Sequence, residues 1–169
     1  MGSPFWDFSI AIYGDRAVQE ECLQLQDRFG LDVNLVLLCV FLGAVHGLAL
    51  TSDDIASARE EVRQWQNDIV RPLRNARRSL KTIATQGETA IATISLRTQV
   101  KAVELEAERI EQTLLERWAD GRFAARTRSG PGKTVAANLQ VLLTAYGIGP
   151  DRLAAAAAVP HIIAAALAR

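Results

Sequence analysis

Residues 31–47, LDVNLVLLCVFLGAVHG, hold the reading that decides the fold class. From Val33 to Val45 the only polar side chain is Asn34. Such a run is either a strand covered on both faces or a helix covered all round, and periodicity alone does not separate the two. It outruns an ordinary strand of about 5–6 residues, and its Leu and Ala content favours a helix. Asp32 is placed to cap it, and Gly43 and Gly47 are expected to mark a fraying end. A helix apolar on every side belongs in the middle of a domain, surrounded by other helices.

The neighbouring stretches read as those helices. Ser3 with Pro4 opens a short one that runs to Tyr13 and closes at Gly14. Asp15 caps a second, with Val18, Cys22, Leu25 and Phe29 on one stripe and Gly30 as its stop. Over residues 52–84 apolar positions alternate three and four apart: Ile55, Ala58, Val62, Trp65, Ile69, Leu73, Ala76, Leu80 and Ile83. That is a seam of coiled-coil type. Pro72 removes one backbone hydrogen bond from it, which predicts a kink or break near Val70. A second seam, Leu96, Val100, Val103, Ala107, Ile110, Leu114 and Trp118, predicts a helix over 95–118 and, with the first, an antiparallel hairpin. A polar loop is expected over 119–133, then a helix with Val135, Leu139, Leu142 and Tyr146 inward, then two short helices in the alanine-rich tail within 134–169. The expected fold is all-α: one domain over residues 1–169, a helical bundle built on the hairpin with the 32–45 helix buried at its centre.

Composition narrows the function classes. A chain of 169 residues has room for one domain with a real core, since it buries roughly two-thirds of its unfolded surface. Nineteen Lys and Arg against nineteen Asp and Glu give no net charge, so nothing steers the whole chain toward nucleic acid or an anionic membrane. The longest apolar run is about half of a membrane span. Cys22 and Cys39 sit in apolar helical context and read as small buried hydrophobes. The N-terminus lacks the basic region of a secretory signal, so a cytoplasmic location is the expectation.

Motif by motif, chemistry thins out. The run RSGPGKT, residues 128–134, resembles the end of a phosphate loop, but Thr127 stands where the first glycine belongs and no strand precedes it. It reads as a linker with Thr134 capping the next helix. Arg122, Arg126, Arg128 and Lys133 flank that helix start and read as a solvated basic loop rather than an anion site. His46 and His161 lack the Cys, His or Glu spacing of a metal centre, so neither a metal nor any other cofactor is expected.

The most informative constellation is charged. Arg71, Arg74, Arg78 and Lys81 share one helix face, and Glu104, Glu108 and Glu111 share another. In an antiparallel hairpin the two stripes meet. Either they pair, or the arginines stay free and form an anion or partner site.

Four runs carry a resemblance: WDFSIAIY (6–13), CLQLQDRFGLDVNLVLLC (22–39), WQNDIVRPLRNARRSLK (65–81) and VKAVELEAERIEQ (100–112). Together they resemble the bacterial family known as domain of unknown function 2390, from Trp6 to about Glu116. The resemblance implies a small helical bacterial protein of unassigned activity and transfers no catalytic residue. Polar residues at the resembling positions are Asp7, Gln26, Asp27, Asp32, Asn34, Arg74, Arg78, Lys81, Lys101, Glu104 and Glu108.

Asn34 is the odd residue, an amide in an apolar helix that must find a partner if buried. It either ties down the turn before it or lines a pocket beside Trp6 and Gln26. Two functions stay open. One is a non-enzymatic interaction, adaptor or oligomerising module with a protein partner or a second copy. The other is a small-molecule or anion-binding protein, or a minor enzyme, with its pocket between helices. The candidate residues for either are Trp6, Gln26, Asp27, Asn34, Arg74, Arg78, Lys81, Glu104 and Glu108.

Overall fold

The computed structural model describes residues 3–83, 89–124, 126–130, 132–149 and 159–169, and among them there are helices and no strand. In chain order these are α1 Pro4–Tyr13, α2 Arg16–Phe29, α3 Val33–Ala44, α4 Ser52–Trp65, a π-helical turn Gln66–Val70, α5 Arg71–Ile83, α6 Ala90–Phe123, α7 Val135–Ala145 and α8 Pro160–Leu167. The fold is all-α, as the sequence predicts.

Local signals set the helix ends. The Ser3 side chain accepts from Trp6 N, Asp15 from Ala17 N, and Asp32 from Asn34 N, while Gly30 ends α2 in the left-handed region at φ 67°. Each cap satisfies backbone groups that the helix itself cannot. α3 is buried from Asn34 to Gly43 and packs against α1, α2, α6, α7 and α8. Cys22 and Cys39 lie in the same core, where burial pushes both thiols up, Cys22 to about 12.

Gly43 does not fray. A Cβ there would stand 2.9 Å from the backbone of Val135, so this glycine lets α7 approach α3 closely. Gly47, at φ 60°, lies against Ser129 O, where a Cβ would come within 1.9 Å. The glycine-rich segment is therefore stitched to the end of α3, with Ser129 N donating to Gly47 O (2.8 Å) and Gly132 N to Gly43 O (3.0 Å). Thr134 stands at the N-cap of α7, but its hydroxyl makes no capping bond. Asn138, buried on α7, fastens the link between α3 and α4: its amide donates to Cys39 O and Leu48 O and accepts from Leu50 N.

Pro72 is preceded, where an interruption near Val70 is expected, by the π-helical turn Gln66–Val70. Its missing N–H would have bonded Asp68 O, and the chain absorbs that loss in the π-helical turn just before it, where Arg71 N reaches back to Gln66 O. α5 then continues along α6 in the opposite direction, Trp65 lying against Ala107 and Arg74 against Glu104. The connection at residues 84–88 lies outside the described residues.

The two expected seams are only half inward. Ile55, Ala58 and Val62 are buried, but Ile69, Ala76 and Ile83 are exposed. On α6 the buried line runs through Glu104, Ala107, Glu111, Leu115 and Ala119, while Leu96, Val103 and Ile110 face solvent. α6 also runs past both predicted ends, so the loop expected from residue 119 starts only after Phe123. Beyond the body of the fold, α5 and α6 as far as Ile110 form an arm in which no residue of α5 is buried.

At the other end, buried Glu21 of α2 caps α8. It accepts from His161 N (3.1 Å) and Ile162 N (2.9 Å), and Nδ1 of His161 lies 2.7 Å away. The earlier tail helix, expected before Pro160, falls mostly on residues 150–158, outside those described.

Candidate functional site

A chain of buried polar side chains crosses the body where α3, the π-helical turn and α6 meet. Gln112 Nε2 donates to Asn34 Oδ1 (2.9 Å), and Asn34 Nδ2 donates to Glu111 Oε2 (2.8 Å). Gln66 Nε2 reaches Glu111 Oε1 (3.0 Å) and Asp32 Oδ2 (2.8 Å), while Asp32 Oδ1 accepts from Asn34 N (2.9 Å). Gln66 is the first residue of the π-helical turn and is buried there, one position after the seam residue Trp65.

Glu111 is 0% exposed. Burial pushes its carboxyl well above the usual carboxylate range, and the charge of Asp32 and a hydrogen bond with Asp32 push it further. It therefore holds its proton at neutral pH. At each end the chain stops on an acceptor: Gln66 Oε1 and Gln112 Oε1 have no hydrogen-bond partner among the described residues.

Both ends reach the surface. Asp32 and Gln66 line two grooves of about 380 and 390 Å³, the first with Arg59 and Tyr146, the second with Asp27, Arg74 and Arg78. At the other end Asn34 and Gln112 line a crevice of about 100 Å³ between α1, α3 and α6, together with Trp6, Gln26 and Glu108. Of the candidates read from the sequence, Trp6, Gln26, Asn34 and Glu108 thus come together, and Asn34 does lie beside Trp6 and Gln26. Arg74, Arg78 and Asp27 line a different groove, so one pocket holding Trp6, Asn34, Arg74 and Arg78 does not form. Lys81 is exposed on α5 and lines none of these. Trp6 also borders a wider cleft of about 900 Å³ with Phe41, His46 and Phe123.

The charged stripes pair in part. Arg74 donates to Glu104 (3.3 Å) and Glu108 (2.8 Å), and Arg77 also engages Glu104. Arg78 instead crosses to Asp27 on α2 (2.5 Å). Arg77 lay off the counted stripe but falls within one turn of Arg74, which puts both guanidinium groups against Glu104. Burial raises the Glu108 carboxyl, and Arg74 opposes that rise. The basic segment before α7 is also partly neutralised: Arg122 (2.7 Å) and Arg126 (2.6 Å) both pair with Asp54, which sits in the capping box of α4. Burial pushes the Asp54 carboxyl up, but hydrogen bonds from Arg126, Thr51 and Arg122 outweigh it and hold the group at about 2.

The arm has a face of its own. At 100° per residue, Ala76 and Ile83 lie about 160–180° around α5 from Arg74, which faces the body. Leu96, Val103 and Ile110 lie about 120–160° around α6 from Glu108, which lines the crevice. Ile69, Ile83, Leu96, Val103 and Ile110 are all exposed, Ile83 at 70% and Val103 at 55%. Both helices thus turn an apolar stripe with seven-residue spacing to the same outer side.

Comparison with curated proteins and with solved structures returned no match. A profile described as "Protein of unknown function (DUF2390)" covers residues 4–115, well over half of the chain. That span contains the whole buried polar chain and the whole arm, and it stops before α7. On that match the chain belongs to the DUF2390 family of proteins of unknown function.

Proposed function

We propose that the protein is a helical oligomerising module that pairs two copies through the outer face of its arm, with the cytoplasm as its working place. The observation that carries this reading is the matched pair of stripes, Ile69 of the π-helical turn with Ala76 and Ile83 of α5, and Leu96, Val103 and Ile110 of α6. Both repeat every seven residues, both span the same length, and they run antiparallel. A two-fold axis near Ala76 and Val103 brings Ile69 of one copy level with Ile83 of the other and closes a four-helix bundle.

The face is about 20 Å long. Its charged neighbours Arg74 and Glu108 lie on the opposite side of the arm and need not be desolvated. Glu106 and Arg109, paired at 3.3 Å, provide a polar rim. Among the described residues no helix is long and apolar enough to cross a membrane, so lipid does not compete as the cover for this face through a spanning helix.

Sedimentation equilibrium tests the reading. The expected result is a dimer for the parent and a monomer with unchanged circular dichroism for Val103→Arg. A parent that stays monomeric at high micromolar concentration would refute self-association.

The second reading, small-ligand binding, draws support from the crevice at Gln112 and less from the arginines. Arg74, Arg77, Arg78, Arg122 and Arg126 all have carboxylate partners, which weakens the case for an anion site.

A further inference from the structure

We propose that the crevice between α1, α3 and α6 is a binding site for a small, neutral, mostly apolar molecule that presents one hydrogen-bond donor, the chemistry of an alcohol or a phenol. This inference is independent of pairing through the arm, which lies on the opposite side of α6.

Two buried polar side chains on the crevice have atoms with no hydrogen-bond partner among the described residues. Ser9 Oγ comes from α1 and Gln112 Oε1 from α6, each residue is 2% exposed, and both line the same crevice. Buried polar groups are ordinarily satisfied, so two orphans from separate helices on one small space mark a place built for something that bonds them. Gln112 Oε1 can only accept, which requires a donor from the occupant, while the Ser9 hydroxyl can either give or accept.

The walls say what else the occupant is. Trp6, Ile10, Leu37 and Leu105 line the crevice, and Ile10 and Leu105 are about half exposed at its mouth. A space of about 100 Å³ would hold on the order of three waters at liquid density, but mostly apolar walls disfavour water and suit a hydrocarbon body. The size fits a single ring or a short chain with its remainder at the mouth.

The charged and titratable neighbours point to a neutral ligand. Glu108 is held by Arg74 (2.8 Å), and burial keeps the Tyr13 hydroxyl protonated, pushed up to about 12. Neither leaves a charge for the occupant to balance. A donor seated on Gln112 Oε1 would also complete the buried chain that runs through Asn34 to Glu111.

Nitrogen-15 NMR titration of the full chain with phenol, and separately with toluene, tests the site. Phenol is expected to shift the Trp6 indole and the Gln112 side-chain amide saturably, and toluene, which has the ring without the donor, to bind at least tenfold more weakly. Leu105→Trp, a change at the exposed mouth, is expected to abolish the phenol response with the melting temperature unchanged. Ser9→Leu, which fills the floor, should abolish the phenol response too. Absence of a saturable phenol shift would mean a site that holds only water and would overturn the proposal. Equal binding of toluene would overturn the donor requirement. Phenol binding that survives both variants would place it elsewhere on the protein and overturn it as well.

Discussion

α3 and α5 are helices of nearly equal length, and they live by different physics. α3 buries every residue from Asn34 to Gly43, whereas α5 buries none. α3 is held by apolar contact on all sides. α5 is held by ion pairs to Glu104, Glu108 and Asp27 and by an inner edge shared with α6. Both carry apolar residues at helical spacing, so the contrast teaches that a seam announces an interface without saying whether the same chain fills it. In the body the chain fills it; on the arm it does not.

The sharpest way to break this contrast is a pair of truncations. Leu142→Ala, in the core between α7 and α3, is expected to cost about 2–5 kcal/mol in urea unfolding. Ile83→Ala on the arm should cost less than about 0.5 kcal/mol under conditions where the chain is monomeric. Similar losses for the two would show that the arm is part of the core after all.

Asp54 joins the α4 cap to two arginines, and Asp54→Ala is expected to cost about 2 kcal/mol. Its folded carboxyl is depressed to about 2, below the unfolded value. Its contribution is therefore complete above the ordinary carboxylate range and lost as pH falls from about 4 toward 2. An acid titration of the unfolding midpoint that is identical in parent and variant would remove Asp54 from the account.

Glu111 has the opposite sign. Its folded carboxyl is raised, so the folded state keeps a proton that the unfolded state releases. That contribution is complete below the ordinary carboxylate range and declines as pH rises through neutrality, by at most about 1.4 kcal/mol per unit. Glu111→Gln, neutral at every pH, is expected to flatten the decline between pH 5 and 9, and parallel curves would sink the protonated assignment.

The smallest expected difference separates the arm's own ion pairs. Arg74 has 12% of its side chain exposed and bridges two glutamates, whereas Arg78 is 50% exposed. Arg74→Gln should cost about 1–2 kcal/mol and Arg78→Gln no more than about 0.5 kcal/mol. Equal costs would mean that attachment of the arm to α2 matters as much as its attachment to α6.

Much of the architecture was legible residue by residue. The caps at Ser3, Asp15 and Asp32, the left-handed stop at Gly30 and the all-round apolar α3 depend on contacts within a few residues along the chain, and such contacts are written in local spacing. Asn34 announced itself because one amide in an apolar helix demands a partner. What that partner would be was not legible. Glu111 was visible only as the third member of a glutamate stripe, and Gln66 and Gln112 only as polar residues beside the seams, which local spacing does not mark out. Their bonds join positions 45 and 78 residues apart, Asp54 meets Arg126 across 72, and Glu21 caps α8 across 140. The π-helical turn, Arg78's choice of Asp27 and the outward turn of Leu96, Val103 and Ile110 belong to the same class. Helix formation is decided by neighbours in sequence, so the sequence by itself determined which segments are helical and where most of them start. Which face of each helix is covered depends on the angle and register at which helices far apart in the chain pack, and only the tertiary structure decides that.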